Sequence, residues 1–289
     1  MPQVVWHLIV YCYLSSIVDY ILKNHNFQDN LSAVLIIKDE ASYIEEWIDF
    51  HCKVGFTKFY IYDNGSMDGL ENILSQYINS GMVKYIYFPG KAKQAKAYTH
   101  AVRKYRWKTK YMAMFDTDEF IYPCRNDEKL IDIIDAIMKE NPRRGGVGIN
   151  LRWYGSAGYI KKPEGKVTEN FLYRADDFWN ENRACSIIKT VCNPRKVFLF
   201  EQVCYPMYNE KFYCVNEKGV YVEGAWTEIP SFDHIRINHY WAKSKEEFLE
   251  KQKRGNASTG VKNDKTWELY DLYNRNEKYD ASALRIWKY

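Results

Sequence analysis

The chain has 289 residues, of which 46% are hydrophobic and 27% charged, a composition typical of a folded globular protein and not of a disordered or collagen-like one. The net charge of only +4 excludes the clustered basic face typical of nucleic-acid-binding proteins. Aromatic residues reach 17%, which suits either a large core or a surface that stacks on sugars and bases. The seven cysteines include no C-x-x-C pair, which favours reduced cysteines in a cytosolic protein.

The N-terminal segment differs from the rest of the chain. Residues 4–18 are mostly apolar, but a membrane-spanning helix needs about 20 apolar residues. The segment also lacks the basic start and small-residue end of a signal peptide. We therefore interpret residues 1–30 as an apolar extension with helical character, which packs on the domain or contacts a membrane surface through residues 1–20. Either case places the protein in the cytoplasm, free or at the inner face of the membrane.

From residue 31 onwards, apolar runs of strand length alternate with amphipathic segments. The predicted strands cover residues 33–37, 59–62, 83–88 and 111–115. The predicted helices cover residues 44–52, 70–78, 94–105 and 128–140. This alternation predicts right-handed βαβ units and a parallel sheet.

The second half of the chain is less regular. Residues 142–146 predict a break, and residues 147–237 predict mixed strands and long loops between Gly, Pro and Asn residues. Ser244 with Glu247 three residues later forms a capping box, which predicts the start of a helix. A last helix is predicted over residues 265–273.

Acidic residues follow three of the predicted strands at the point where each strand ends. Asp39 follows the first strand and Asp63 ends the second, whereas Asp116 and Asp118 come directly after the fourth. The carboxyl ends of parallel strands share one crevice, in which ligands bind. Two carboxylates two residues apart can both turn toward one Mg²⁺ or Mn²⁺, cations that prefer oxygen ligands. A solvent-exposed turn would show the same D-x-D pattern, so this pattern alone does not distinguish a metal site from an acidic turn.

Several segments in combination resemble a known family. The matching residues are 35–40, 46–48, 60–69, 94, 97–98, 115–120, 154–158, 162–165, 237–244 and 251–255. They are similar to the family 92-type glycosyltransferases, which belong to the GT-A group of nucleotide-sugar enzymes. The resemblance implies an α/β fold of the GT-A class, with a Rossmann-like, mixed but mainly parallel sheet flanked by helices.

The resemblance also implies a division of the chain. Residues 31–255 would form the GT-A domain, with a nucleotide-sugar-binding half over 31–145 and a loop-rich acceptor half over 146–240. Residues 256–289 would form a C-terminal helical tail.

Individual residues receive roles from the same resemblance. Asp118 and His239 would hold Mn²⁺ or Mg²⁺ together with Asp116, which would also contact the ribose or sugar. Asp63 would contact the base or ribose of a nucleoside-diphosphate sugar, with UDP as the expected nucleotide. The remaining nucleotide-binding candidates are Asp39, Lys243 and Arg254, of which the last two would reach the diphosphate. Without the family pattern, His239 is an ordinary histidine after a strand.

The implied reaction is transfer of a hexose, with galactose a candidate, to a glycan or glycolipid with inversion, which requires a carboxylate base. The candidate bases are Glu119, Glu164, Glu169, Asp176 and Asp177, and we select Glu164 because it lies in the loop-rich half. Trp153, Tyr154 and Trp179 either form a sugar-stacking platform or belong to the core. Val203 and Cys204 stand where relatives often carry a Val-His pair, so the role of that histidine has no counterpart here.

Three other functions remain open from the sequence. A sugar-nucleotide pyrophosphorylase would need a glycine-rich loop after the first strand, where this chain has Lys38-Asp39-Glu40-Ala41-Ser42. A glycoside hydrolase would need two carboxylates but no nucleotide or metal groups. A non-catalytic carbohydrate-binding or scaffold protein would show no metal dependence.

Overall fold

The computed structural model describes residues 25–179, 181–256, 259–261 and 265–288, so most of the predicted N-terminal extension lies outside the described residues. The strands are β1 (Asp29–Ile37), β2 (Lys58–Asp63), β3 (Val83–Tyr87), β4 (Thr109–Met114), β5 (Glu119–Pro123), β6 (Arg144–Trp153), β7 (Tyr173–Arg174), β8 (Ile188–Cys192), β9 (Val197–Leu199), β10 (Met207–Tyr208), β11 (Tyr213–Asn216), β12 (Tyr221–Val222), β13 (Ile235–His239) and β14 (Lys278–Tyr279). The helices are α1 (Ala41–Val54), α2 (Leu70–Ile73), α3 (Ser75–Asn79), α4 (Gln94–Tyr105), α5 (Leu130–Lys139), α6 (Val167–Asn170), α7 (Lys245–Arg254) and α8 (Trp267–Tyr273), with 3₁₀ turns at Glu181–Ser186 and Ser282–Lys288.

A mixed sheet forms the centre of the fold, in the order β12-β11-β6-β8-β4-β1-β2-β3. Strands β3, β2, β1 and β4 are mutually parallel, whereas β8 runs antiparallel between β4 and β6. The predicted class, a mainly parallel sheet flanked by helices, is confirmed.

Strand β1 shows why the sheet has helices on both faces. Its residues from Leu31 to Ile37 are buried, and they alternate between two apolar clusters. Leu35 packs in the cluster that contains Trp47 of α1, whereas Val34 packs in the cluster that contains Tyr98 of α4. A strand that is apolar on both faces needs a layer on each side, which α1 and α4 provide.

Three elements differ from the prediction. The helix predicted over residues 70–78 is interrupted at Leu74, where ψ flattens to −6°, so that α2 and α3 are separate. The predicted break over 142–146 ends early, because β6 begins at Arg144. Strand β5 was not predicted, since the acidic turn before it and Pro123 at its end conceal a run of only five residues.

A branch of the sheet brings distant segments together. The second half of β6 pairs in parallel with β13, which in turn pairs antiparallel with β5. In this register His239 lies opposite both Glu119 and Trp153. The end of β13 therefore comes next to the turn that follows β4.

The C-terminal segment packs on the same core. Ala283 is buried in the main apolar cluster, and the Trp287 ring lies 5.6 Å from the Phe50 ring of α1. Trp287 Nε1 also donates to Thr168 Oγ1 over 2.8 Å. In the part of the chain that the structure describes, none of the helices combines the length and apolar character needed to cross a membrane.

Candidate functional site

Carboxylates and one imidazole meet where β4, β5 and β13 converge. Asp116 and Asp118 lie in the turn between β4 and β5, Glu119 begins β5, and His239 ends β13. Glu119 and His239 are directly opposed in an antiparallel pair, so their side chains lie on the same face. The Tyr240 amide donates to the Asp118 carbonyl oxygen over 2.8 Å, which fixes the turn against β13.

The cluster formed by Asp118, Glu119 and His239 has the geometry of a cation site. His239 Nε2 lies 3.6 Å from Asp118 Oδ1 and 3.8 Å from Glu119 Oε1. One ligand atom from each residue lies within 4.8 Å of the others, and all three residues are buried. Metal–oxygen bonds of about 2.1 Å place octahedral ligands about 3 Å apart when adjacent and about 4.2 Å apart when opposite. The cluster thus needs little rearrangement to hold Mg²⁺ or Mn²⁺.

The donor set of this cluster also fits a divalent cation. Glu119 Oε1 is buried without a hydrogen-bond partner among the described residues. An unpaired buried carboxylate oxygen is costly, and a metal bond would satisfy it. Two carboxylates and one imidazole are ligands that manganese accepts.

Two lysines form ion pairs with the carboxylates at this site. Lys251 Nζ lies 2.6 Å from Asp118 Oδ2, while Lys189 Nζ lies 2.8 Å from Asp116 Oδ2 and 3.2 Å from Glu119 Oε2. Asp118 and Glu119 each keep their second oxygen toward His239. Three carboxylates against two ammonium groups leave one negative charge, which favours binding of a cation.

These contacts set the protonation of the cluster. Burial alone would raise the pKa of Asp118, but Lys251 and His239 outweigh it and hold that pKa well below its ordinary value. Burial raises the pKa of Glu119 despite the nearby Lys189. Burial would lower the pKa of Lys189, yet Asp116 and Glu119 raise it well above its ordinary value. Asp118 is therefore a carboxylate and Lys189 a cation at neutral pH.

The cluster forms one wall of a pocket of about 730 Å³. Gln94 lies on the wall nearest the turn, where its Nε2 donates to Asp116 Oδ1 over 2.7 Å. Lys251 and Arg254 of α7 line another side, and Arg254 Nη2 lies 2.6 Å from Glu40 Oε1. The pocket thus presents cationic groups beside the cation site.

The structure brings four of the predicted site residues to this pocket: Asp116, Asp118, His239 and Arg254. Asp63 does not line the pocket, and both of its carboxylate oxygens are engaged: Oδ1 accepts from the Ser66 amide over 2.8 Å and Oδ2 from the Tyr85 hydroxyl over 2.6 Å. Its neighbour Asn64 lines the pocket instead. Asp63 therefore shapes the loop that carries Asn64, and its predicted contact with the nucleotide stays a prediction.

Three other predicted residues do not line this pocket. Asp39 has a φ of 49°, and its Oδ1 accepts from the Met67 amide over 2.7 Å. Lys243 is buried beside a smaller cavity, with Nζ 3.4 Å from the centre of the Tyr43 ring, and burial lowers its pKa. Glu164 is exposed in a loop, where its carbonyl oxygen accepts from Asn170. The roles predicted for Asp39, Lys243 and Glu164 remain predictions.

The aromatic candidates divide between pocket and core. Trp153 lines the pocket, lies 4.4 Å from the His239 ring and stacks on Tyr273. Tyr154 is fully buried, and Trp179 is buried with Arg275 over its ring. Cys204 lines the pocket, where burial raises the pKa of its thiol to about 11.

Two lysines of the site, Lys189 and Lys251, received no predicted role. Lys189 lies in the middle of β8, within the run Ile188-Lys189-Thr190-Val191-Cys192. All five positions of β8 are buried, so Lys189 requires a buried anionic partner. A charged residue inside an apolar strand was the available signal.

The comparison with protein families decides the relationship. A model described as glycosyltransferase family 92 matches residues 34–273, more than four fifths of the chain. The chain belongs to glycosyltransferase family 92. This membership confirms the resemblance and, with the sheet topology, the GT-A fold class.

Family 92 proteins of several plants align with part of the chain. One from Oryza sativa subsp. japonica is 27% identical over 141 residues, which is 48% of this chain and 24% of that protein. One from Ricinus communis is 28% identical over 152 residues, 50% of this chain and 26% of that protein. One from Arabidopsis thaliana is 26% identical over 176 residues, which is 58% of this chain and 30% of that protein. The chain thus spans less than a third of the length of these relatives.

Two glycosyltransferase structures show a remote likeness to this chain. GalNAc-T7 with UDP, GalNAc and Mn²⁺ aligns at 10% identity with a TM-score of 0.43, over 76% of this chain and 45% of that chain. Residues 1–349 of Staphylococcus aureus TarS with UDP align at 16% identity with a TM-score of 0.35, over 47% of this chain and 38% of that chain. These values are too low to assign roles to residues of this chain.

Proposed function

We propose that this family 92 chain is a metal-dependent glycosyltransferase that moves a hexose from a UDP-linked donor to a hydroxyl of a glycan or glycolipid. The observation that carries the proposal is the buried cluster of Asp118, Glu119 and His239 in the wall of a large pocket. Ligand pockets of about 300–1,000 Å³ accept molecules of the size of a nucleotide sugar, and this one measures about 730 Å³.

The cluster would hold Mn²⁺ or Mg²⁺ through Asp118 Oδ1, Glu119 Oε1 and His239, with Asp116 beside it. When bound, such a cation acts as a Lewis acid for the diphosphate oxygens of the leaving group. Lys251 already pairs with Asp118 Oδ2 and lines the pocket, so it holds the carboxylate in place.

The cationic groups of α7 would bind the diphosphate. Lys251 and Arg254 come one turn apart along the helix and both line the pocket. Their charge would stabilise the diphosphate as the anomeric C–O bond breaks, because negative charge develops on the leaving oxygen. Lys243 lies beside the smaller cavity, and we propose that it supports α7 through Tyr43 of α1, whose hydroxyl donates to Glu247 Oε1 of α7 over 2.7 Å.

The acceptor hydroxyl would attack the anomeric carbon from the side opposite the diphosphate, which inverts the configuration. Its oxygen forms the new glycosidic bond, its proton passes to a carboxylate base, and the nucleoside diphosphate leaves with the electron pair. We keep Glu164 as the proposed base. The test is Glu164→Gln with Glu169→Gln as the matched control, since both carboxylates are exposed in one segment.

If Glu164 is the base, Glu164→Gln lowers kcat by at least roughly 100-fold and leaves KM nearly unchanged, as expected for a lost general base. Glu169→Gln then retains full activity. Equal activity of the two variants would remove Glu164 from the mechanism.

The function itself is tested by a screen of UDP- and GDP-sugars with Mn²⁺, which follows release of the nucleoside diphosphate. UDP-galactose is the first donor to test, with oligosaccharide and glycolipid acceptors. Asp118→Asn is expected to abolish release, whereas Asp127→Asn, a change at an exposed carboxylate that does not line the pocket, retains it. Donor-independent cleavage of an oligosaccharide would indicate a hydrolase, and sugar binding without turnover a non-catalytic protein.

For location we propose the cytoplasm, with contact to the inner face of a membrane through residues 1–20. Deletion of those residues is expected to release the protein from the membrane fraction of a cell lysate. Unchanged fractionation would contradict the membrane contact.

A further inference from the structure

A second pocket lies at the opposite edge of the sheet from the candidate active site. It measures about 520 Å³ and is formed where the parallel strands begin, near Asp29 of β1, Lys58 of β2, Lys84 of β3 and Lys108 before β4. Strand β2 has six residues, so its first and last Cα atoms are about 17 Å apart at 3.3 Å per residue. The two pockets therefore have separate linings.

Three lysines line this small pocket, and the ammonium group of one of them, Lys58, also donates to the Gly81 carbonyl oxygen. Lys58, Lys84 and Lys108 all line the pocket, against the single carboxylate of Asp29. Asp29 already accepts a hydrogen bond from Thr57 over 2.9 Å. Burial lowers the pKa of Lys58; Asp29 opposes this shift, whereas Lys108 and Lys84 add to it. The pocket carries an excess of positive charge that an anion would relieve.

Two buried hydroxyls add unused donors to the same pocket. Tyr60 and Tyr105 line it, their rings stack with centres 4.0 Å apart, and they are 1% and 4% exposed. Neither hydroxyl has a hydrogen-bond partner among the described residues. Buried hydroxyls without partners are rare, because each gives up its hydrogen bonds to water. Their presence beside three lysines indicates a missing acceptor.

We propose that this pocket is an anion site that binds a phosphate group. A phosphate carries two negative charges near neutral pH and offers several acceptor oxygens. It would satisfy the ammonium groups and accept from the tyrosine hydroxyls at once. A carboxylate would match the charge less well, since it has one negative charge against three lysines.

The phosphate has two sources, a soluble phosphate compound or the headgroup of an anionic lipid. In the sequence, Gln28 of the pocket lining comes ten residues after the apolar segment 4–18, so a lipid headgroup is tested beside a soluble compound. The site is independent of the proposed transferase activity, because it uses none of the residues assigned to that activity.

The first experiment uses inorganic phosphate and hydrogen exchange of the full chain. Phosphate is expected to protect the amides of residues 28–29, 57–60, 80–84 and 105–108, which separates this site from the metal and donor pocket. The double variant Lys84→Gln/Lys108→Gln is expected to weaken that protection at least tenfold in apparent affinity. The matched control Lys129→Gln/Lys139→Gln changes two exposed lysines around α5 and is expected to bind as the wild type does.

A second variant separates binding from folding. Tyr60→Phe/Tyr105→Phe keeps the stacked rings and removes only the unpaired hydroxyls, so the protein is expected to fold with an unchanged or higher Tm. Its phosphate affinity is expected to fall severalfold. No protection in the wild type, or equal protection in the wild type and both site variants, would overturn the proposal.

The source is decided with vesicles. Vesicles of phosphatidylcholine with phosphatidic acid are compared with phosphatidylcholine alone, by sedimentation of the wild type and the Lys84→Gln/Lys108→Gln variant. Loss of binding in the variant supports the phosphate site and assigns it to a lipid headgroup. Protection by inorganic phosphate with equal sedimentation of both proteins supports the site and assigns it to a soluble phosphate.

Discussion

Replacement of Lys189 by methionine tests the charge arrangement of the site. The side chain is 5% exposed and pairs with Asp116 and with Glu119, whose side chain is 1% exposed. Methionine has nearly the same length and shape, so the change removes the charge and leaves the volume. The deeply buried Glu119 carboxylate then loses the nearest cation.

The expected loss of stability follows from two limits. Removal of one partner of a buried ion pair costs about 3–5 kcal/mol. Glu119 can reduce this cost by binding a proton, which removes its buried charge. Protonation of a carboxyl whose ordinary pKa is 4.5 costs about 4 kcal/mol at pH 7.5. Asp116 is 35% exposed on its side chain, so water compensates it. We therefore expect Lys189→Met to lower the free energy of unfolding by about 3 kcal/mol at pH 7.5.

The pH dependence has a definite sign. Burial raises the pKa of Glu119 in the folded state above its value in the unfolded chain. The stability that protonated Glu119 contributes is therefore fully present below the unfolded pKa, and it is lost as the pH rises through the folded pKa. Without Lys189 that folded pKa rises further. At pH 5.5 the cost of protonation is only about 1.4 kcal/mol, so the difference between the variant and the wild type shrinks as the pH falls.

The assay is urea unfolding of both proteins at pH 7.5 and pH 5.5 without added metal. Lys218→Met is the matched control, because Lys218 and its partner Asp233 are 49% and 62% exposed on their side chains and such a pair contributes about 1 kcal/mol or less. A loss below about 0.5 kcal/mol for Lys189→Met, or a loss independent of pH, would show that Lys189 does not compensate the charge of the buried Glu119 carboxylate.

Two further predictions concern the elements around the site. Ser244→Ala removes the capping box of α7, in which Ser244 Oγ accepts from the Glu247 amide, and is expected to cost about 1 kcal/mol in urea unfolding; an unchanged midpoint would contradict this. Asp280→Asn removes a carboxylate whose pKa is held at about 2, against the effect of burial, by hydrogen bonds from Ser282 and by the ion pair with Arg174, so a difference in the free energy of unfolding of about 2 kcal/mol is expected above pH 4 and is lost as pH falls toward 2. A difference that stays constant across an acid titration of stability would exclude that assignment.

The first half of the fold was predictable from local patterns. The continuous apolar run of β1 and the stripes of α1 and α4 are set by burial on both faces of a parallel sheet, so the sequence shows them directly. The capping box at Ser244 depends on residues three positions apart and is also visible in the sequence. Strand β5 was not predictable from local patterns, because its pairing with β13 joins segments more than 100 residues apart.

The candidate site was predictable only in part, for the same reason. The approach of Asp118 to His239 came from the family resemblance, since no local pattern relates the two residues. Lys189 pairs with Asp116 across β4 and β8, a long-range contact that no spacing reveals. Glu119 was considered as a base, but its register opposite His239 places it in the cation cluster.

We propose that His239 binds a divalent cation together with Asp118 and Glu119. Pulsed EPR of Mn²⁺ added to the protein with UDP measures this directly, because a coordinated imidazole gives a ¹⁴N modulation of the electron spin echo. We expect this modulation in the wild type and in Asp127→Asn, and its loss in His239→Gln. Bound Mn²⁺ without nitrogen coupling, or the same coupling in His239→Gln, would show that His239 is not a ligand of the cation.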